Sequence, residues 1–307
     1  MEENKKLILI DGNALIHRAF HAIPPFRTSS GELVNSVYGF ASILLNILNN
    51  EKPDYIAVAF DLKGKTFRHE EYKEYKATRT KAPDELYGQI PRIHKLVSAF
   101  KIPIYTAEGY EADDVLGTLS KKAEEKNLNT YIVTGDLDTL QLVTDKTKVM
   151  TFVKFSQMKT YDAAAIFERY GLTPEQIIDM KGLQGDSSDN IKGVAGVGAK
   201  TTKTLLQKYG TIENLYENLN EITGSVHTKL ENDKESAFLS KRLATIVTDL
   251  DMDLDLGECK THEYDENELR AIFEELEFKS LLIRLNNFNK HSSNKKSAEK
   301  NVQASLF

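Results

Sequence analysis

The 307-residue chain has a single cysteine, Cys259, and no tryptophan. One thiol excludes an intrachain disulfide, which fits a reducing compartment. Long hydrophobic runs are missing as well. Stretches such as Tyr55–Phe60 and Ser42–Leu48 are far too short to span a bilayer. Met1–Lys6 leads straight into a short apolar run, without the extended apolar segment and cleavage site of a secretory signal. A cytoplasmic protein with no membrane partner is expected. No Cys/His cluster has the spacing of structural zinc. An excess of basic charge is also absent: the formal net charge is −6. That sum argues against a nucleic-acid binder only if the acids are spread evenly. Acids gathered in one metal pocket would leave basic surface free elsewhere.

The acids are not spread evenly. Glu111, Asp113 and Asp114 crowd the start of an apolar-periodic stretch, Glu111–Lys126. Acids in a first helical turn are favoured by the helix dipole, by roughly 0.3–1 kcal/mol each. That accounts for one or two of them. It does not account for acids that recur after short apolar runs. Lys5–Asp11 (KKLILID) and Tyr55–Asp61 (YIAVAFD) each end in an acid, and Asn129–Thr134 is followed by Asp136 and Asp138.

These runs read as buried strands. They alternate with helical patterns over Asn13–Phe20, Val34–Asn49, a stretch from Pro83 to Phe100, and Glu111–Lys126, with a further short strand at Ile102–Tyr105. Such alternation predicts an α/β fold with a mainly parallel sheet, and Val149–Phe155 extends it. Ligands of these sheets sit at the carboxyl ends of the strands. Asp11, Asp61, Asp136 and Asp138 are all expected there. Together with Glu111, Asp113, Asp114, Asp186 and Asp189 they would repel one another strongly unless cations intervened. Hard carboxylate oxygens suit two Mg²⁺ ions, with Mn²⁺ as a substitute. Taken singly, each acid is better read as a cap or a surface charge; their joint placement is what points to metal.

Leu62–Ala82 has another character. Lys63, Lys65, Arg68, Lys73, Lys76, Arg79 and Lys81 alternate with Phe67, Tyr72 and Tyr75, without a core stripe. The segment reads either as a solvated basic loop or as a surface where cations meet phosphates and aromatics stack on bases. After Tyr161 the pattern turns helical. Thr173 and Pro174 suit an N-cap and first position, and that helix ends near Gly185. Further helices are expected over Lys200–Tyr209, Ile212–Glu217, Lys234–Thr248 and Glu266–Leu276. Between the helix that ends near Gly185 and the one over Lys200–Tyr209 lies Gly193-Val-Ala-Gly196-Val-Gly198-Ala-Lys200-Thr201. Its spacing is neither a Walker loop nor a dinucleotide fingerprint, and no strand precedes it. Helix, glycine turn, helix is similar to a helix-hairpin-helix, in which backbone amides contact phosphate without reading bases. A plain helix–helix turn is the simpler alternative. Residues 289–307 are polar with no core pattern, a disordered tail or linker that ends in Gln303-Ala-Ser-Leu-Phe307.

LILIDGNALIHRAFHA, VAFD, TFRHEEYKEYKATR, EGYEADDVLGTL, VTGDLDTLQLV and GLQGDSSDNIKGVAGVGAKTT carry a resemblance. The chain resembles the 5′-nuclease (flap endonuclease-like) domain of bacterial DNA polymerase I over roughly residues 5–290. The resemblance implies a PIN-like catalytic domain (1–172) with a basic helical arch or clamp (62–82). It also implies a helical DNA-binding region (173–288) with a helix-three-turn-helix around 176–208. It assigns Asp11, Asp61, Glu111 and Asp113 to a first metal. Asp113 or Asp114 join Asp136, Asp138 and Asp186 at a second, with Asp189 in the outer shell. On an ideal helix Glu111 and Asp114 share a face and Asp113 does not. Asp113 is thus expected at the seam and Asp114 at the second ion or its waters.

Lys76 and Arg79 are expected beside the scissile phosphate, with Arg68 also in the arch and Tyr75 stacking on a displaced base. K⁺ is implied at the Gly193–Gly198 turn. The activity implied is Mg²⁺-dependent 5′-3′ exonuclease and flap endonuclease cleavage in replication and repair, acting on nicked or flapped duplex DNA and RNA primer ends. The terminal QASLF is similar to a sliding-clamp docking peptide. A monomer near the bacterial nucleoid, alone or as part of a longer polymerase chain, is expected. A compact PIN-type ribonuclease would need neither the basic segment nor the glycine turn. A non-catalytic, clamp-recruited scaffold would be expected to lack some of the acids.

Overall fold

The structure is a computed structural model and describes residues 5–154, 157–261 and 264–286. The predicted tail and its QASLF end lie outside the described residues. A six-stranded sheet has the order β3-β2-β1-β4-β5-β6. Its strands are β1 (Lys6–Asp11), β2 (Tyr55–Ala59), β3 (Ile104–Tyr105), β4 (Asn129–Val133), β5 (Thr147–Lys154) and β6 (Gln157–Tyr161). The first five are mutually parallel, and β6 runs antiparallel to β5. β6 was not expected from the sequence; Gln157, Lys159 and Thr160 are polar and exposed, and Met158 and Tyr161 alone are too few to make an apolar pattern.

Alternation along the central strands builds two cores. Ile8, Ile10, Ile56 and Val58 face α2 (Asn35–Glu51), α5 (Ile90–Ala99) and α13 (Glu266–Glu275). Leu7, Leu9 and Ala57 face α6 (Ala112–Glu125) on the other side, with Leu250, Leu254 and Cys259. Each fully buried aliphatic side chain contributes about 1.5–3 kcal/mol relative to exposure. The stretch from Pro83 to Phe100 is two helices, α4 (Asp84–Tyr87) and α5, rather than one. Pro91 suits the first turn of a new helix. The break lets buried Gln89 accept from the Ser36 amide at 2.8 Å and donate to Asn35 Oδ1 at 3.1 Å.

The helical region holds α7 (Ala163–Tyr170), α8 (Gln176–Gln184), α9 (Ala199–Tyr209), α10 (Ile212–Glu217), α11 (Ser225–Asn232) and α12 (Lys234–Ala244), most of them around a third core of Leu183, Val194, Val197, Leu206 and Leu230. α8 starts at Gln176, because Thr173–Glu175 forms a turn whose Thr173 carbonyl accepts from the Gln176 amide. α12 stops at Ala244, short of the expected Thr248. The next amides are used elsewhere: Ile246 donates to Gln141 and Val247 to Asp114. Among the described residues no helix is long and apolar enough to cross a membrane.

Candidate metal centre and nucleic-acid face

β1 lies between β2 and β4, so the crossovers leave it in opposite directions and open a crevice at the carboxyl ends of β1 and β4. The acids converge here. Asp11 ends β1 and caps α1 (Gly12–Ala22) by accepting from the Ala14 amide at 2.9 Å. Its other oxygen accepts from Thr134 Oγ1 at 2.7 Å, across the crevice. Asp61, just past β2, accepts from Asn13 Nδ2 at 2.9 Å and from the Ala112 amide at 2.6 Å, which ties it to the start of α6. Asp136 accepts from the Asp138 amide at 2.9 Å at the head of the 3-10 helix Leu137–Leu142. Asp138, Asp186 and Asp189 bring carboxylate oxygens to within 4.8 Å of one another.

The electrostatics match this crowding. Burial, helped by the charges of Asp61 and Asp136, pushes Asp11 up to about 6 against its two hydrogen bonds. Asp138 is pushed up to about 6 by burial and by Asp136, against the pull of Lys181. Asp113 is held well above the usual carboxylate range by burial and by Asp11 and Asp136. It has no hydrogen bond or ion pair among the described residues. At Asp186 burial acts upward, but Lys181 and Ser188 outweigh it and the carboxyl is lowered. An unpaired carboxylate among like charges suits a hard divalent cation.

The basic segment 62–82 is a short helix, α3 (Phe67–Glu71), followed by turns that fold over the acids. Lys76 has left-handed backbone at φ 54°, at a cost of roughly 1–2 kcal/mol. Its amide is held by the Asp189 carbonyl at 2.9 Å, and its ammonium reaches Glu111 at 2.7 Å. Arg79 donates to Asp189 at 2.5 Å.

Three expectations are corrected. Asp114 is fully buried and its oxygens are taken. Arg68 grips both at 2.7 and 2.8 Å, while the amides of Val247 and Glu111 add 2.8 and 3.0 Å bonds. It therefore joins α6 to α3 and to the irregular segment after α12, and presents no oxygen to an ion. Arg68, 2% exposed, also donates to the carbonyls of Leu243 and Thr245, so it braces the base of the segment and does not reach for phosphate. Tyr75 is 3% exposed and donates to Glu111 and Asp189 at 3.1 and 3.0 Å; its ring packs with Ile191 and Leu243 and is covered from a displaced base. Sequence reasoning missed Lys181, whose ammonium lies between Asp138 and Asp186. It also missed Thr134 and Asn13, which hold Asp11 and Asp61. None of these belongs to an acidic pattern that a sequence reading would flag.

The glycine turn is welded to this loop. Gly185 (φ +75°) and Gly193 (φ +64°) pass so close that a Cβ on either would strike the other strand's backbone. Asp186 and Ile191 bridge between them. Gly193 donates to Ser240 Oγ at 3.0 Å and accepts from Ser236. Gly196 accepts from Lys229 Nζ at 3.0 Å. Gly198 caps α9 with no side-chain bond, so the first amides of α9, beside exposed Lys200 and half-buried Thr201, have no side-chain acceptor at the cap.

Two family models match the chain: the 5′-3′ exonuclease N-terminal resolvase-like domain over residues 6–171, and the 5′-3′ exonuclease C-terminal SAM fold over residues 172–267. DNA polymerase I of Bacillus subtilis is 47% identical over 287 residues, and that of Caldicellulosiruptor bescii 46% over 284. These alignments cover 93% and 91% of this chain, but the chain spans only 33% of each relative. Among solved structures, the bacteriophage T5 D15 flap endonuclease in complex with DNA and metal ions superimposes with a TM-score of 0.67 at 21% identity, covering 93% of this chain and 98% of that one. The catalytic core of Rad2 with a DNA substrate gives 0.61 at 20%, covering 92% and 93%. At that identity the likeness concerns the fold: a PIN-like sheet with a SAM-like helical region.

Proposed function

Because the chain belongs to the 5′-3′ exonuclease family, we propose that it is a structure-specific 5′-nuclease that cuts flapped or nicked duplex DNA and RNA primer ends during replication and repair. The observation that carries this reading is the convergence of acids from separate strands and loops in one crevice, with Lys76 and Arg79 brought onto them by the 62–82 segment. Asp11, Asp61, Glu111 and Asp113 would hold one divalent ion. Asp113, Asp136, Asp138 and Asp186 would hold a second, with Asp189 beyond. Mg²⁺ is the proposed ion, with Mn²⁺ as substitute. Bound there, the ions supply an activated water and neutralise charge on the attacked phosphate.

The chain's own groups do the rest. Asp11 and Asp61 are fixed by Thr134, Asn13 and backbone amides, so their free lone pairs keep a set direction. Lys76 and Arg79, which balance Glu111 and Asp189, sit where a phosphate oxygen can take their donors. The first amides of α9, with Lys200 and Thr201, grip duplex phosphates away from the cut. K⁺ at the Gly193–Gly198 turn is part of the same reading, although the Gly196 carbonyl there already accepts from Lys229 Nζ. So are a monomeric state, a nucleoid location, clamp docking through Gln303–Phe307 and a polymerase region in a longer chain.

The test is a 5′-flap duplex incubated with Mg²⁺. Cleavage leaving 5′-phosphate and 3′-hydroxyl ends is expected, and its absence on flap, nick and RNA–DNA hybrid alike overturns the proposal.

A further inference from the structure

Cations are distributed unequally over the acid cluster. Among the described residues the Asp11 side chain is held by Thr134 and the Ala14 amide alone, that of Asp136 by the Asp138 amide alone and that of Asp113 by nothing, while Glu111 pairs with Lys76 at 2.7 Å. By contrast, the group made by Asp138, Asp186 and Asp189 is already matched with side-chain cations. Lys181 Nζ lies 2.6 Å from Asp138 Oδ1 and also contacts Asp186 Oδ2. Arg79 holds Asp189 from the other side.

The placement of Lys181 is built into the fold. Asp179, two residues earlier on α8, is buried and bonds the Ile212 amide at 3.1 Å and Lys241 at 2.7 Å, which pins α8 to α10 and α12. Two residues on a helix turn the side chain by about 200°. Lys181 therefore points to the opposite face, at the sheet's crevice, with its side chain only 17% exposed.

Resting on the two-ion reading above, we infer that Lys181 is a tethered counter-cation. It occupies the Asp138–Asp186–Asp189 pocket until a divalent ion displaces it, which makes this ion the weaker and more exchangeable of the two. The ammonium and the ion compete for the same Asp138 and Asp186 oxygens. The long, flexible stem lets the ammonium withdraw without moving α8. The pocket is stable without the ion because Lys181 offsets its charge, and the same offset lowers its affinity. Of the acids proposed for the other ion only Glu111 has such a partner, Lys76 at 2.7 Å, while Asp11, Asp61 and Asp113 have no ion pair among the described residues, so that ion binds first.

The experiment is a Mn²⁺ titration of the whole chain without DNA, read by calorimetry and by electron paramagnetic resonance of free Mn²⁺, on wild type, Lys181→Met, Lys181→Arg and Asp138→Ala. Two affinity classes are expected in wild type. Lys181→Met keeps the unbranched stem and removes the charge, so the weaker class should tighten about tenfold, the scale on which groups around a metal tune its affinity. The metal-free melting temperature of Lys181→Met should fall, and saturating Mn²⁺ should close the gap. Lys181→Arg should keep the weak class weak. A single class in wild type that becomes two in Lys181→Met also supports the inference, as complete suppression of the second site. An unchanged or weakened second class in Lys181→Met overturns it. In that case loss of the weaker class in Asp138→Ala shows that the two-ion reading itself survives. One class in every variant overturns both.

Discussion

The acid crevice, gathered from distant parts of the chain, and the glycine turn, which follows closely on Asp189, would bind by opposite means on the proposed function. At the crevice, side chains from β1, β2, α6 and the 3-10 helix bring charge that the fold cannot satisfy alone: Asp11 and Asp138 are pushed up to about 6 and Asp113 has no partner among the described residues. At the turn, the side chains are nearly absent and the backbone is the working surface. There Gly193 and Gly196 take left-handed φ values and the first amides of α9 are uncapped. On the proposed function the first region does chemistry on a phosphate and the second holds phosphates without regard to base. Chemistry needs lone pairs in fixed directions. A grip needs only close approach.

If this division is right, damage to each region has a different signature. The largest effect is expected from the Asp136→Ala/Asp138→Ala double variant, which should cut flap cleavage at least about a thousandfold, some 4 kcal/mol of lost transition-state stabilisation, while leaving duplex binding nearly intact. Retained cleavage would break the assignment of these acids. Next, Arg68→Ala should destabilise the fold by about 3–5 kcal/mol in urea denaturation, because it strands Asp114 as a buried unpaired charge. The Arg68→Met/Asp114→Leu pair should recover much of this. A mild Arg68→Ala phenotype confined to cleavage would return Arg68 to a phosphate-contacting role.

Smaller still is ion-linked stability. Mg²⁺ at a hundred times its dissociation constant should stabilise the chain by about 2.7 kcal/mol per site through mass action, seen as a raised melting temperature. An unmoved melting temperature at millimolar Mg²⁺ counts against a preformed crevice. The smallest change is expected at the turn. Lys200→Ala should weaken DNA binding by about 1 kcal/mol on every sequence and reduce the salt slope by about one, without altering the cleavage rate at saturating DNA. A sequence-dependent loss would blur the comparison.

Much of this was legible in the residues. β1, β2 and β4 announce themselves as short apolar runs ending in or followed by acids, and α9, α10 and α13 follow their apolar spacing closely. What was not legible is local evidence overridden by distant partners. Asp114 has the same chemistry as Asp113 one position earlier, yet it turns inward to Arg68, 46 residues away in sequence. Tyr75 sits among basic residues like a stacking aromatic, yet it packs on Ile191 and Leu243. Lys181 looks like an ordinary helix lysine.

The sequence by itself determined the alternation of strand and helix, the acids at strand ends and the glycine turn, because periodicity, capping and φ preference act over a few residues. The tertiary structure alone decided which acids are left for an ion and which are consumed by a cation. That outcome depends on which helix face meets the crevice, and small differences in burial and pairing between neighbouring carboxylates are settled only when the whole fold closes around them.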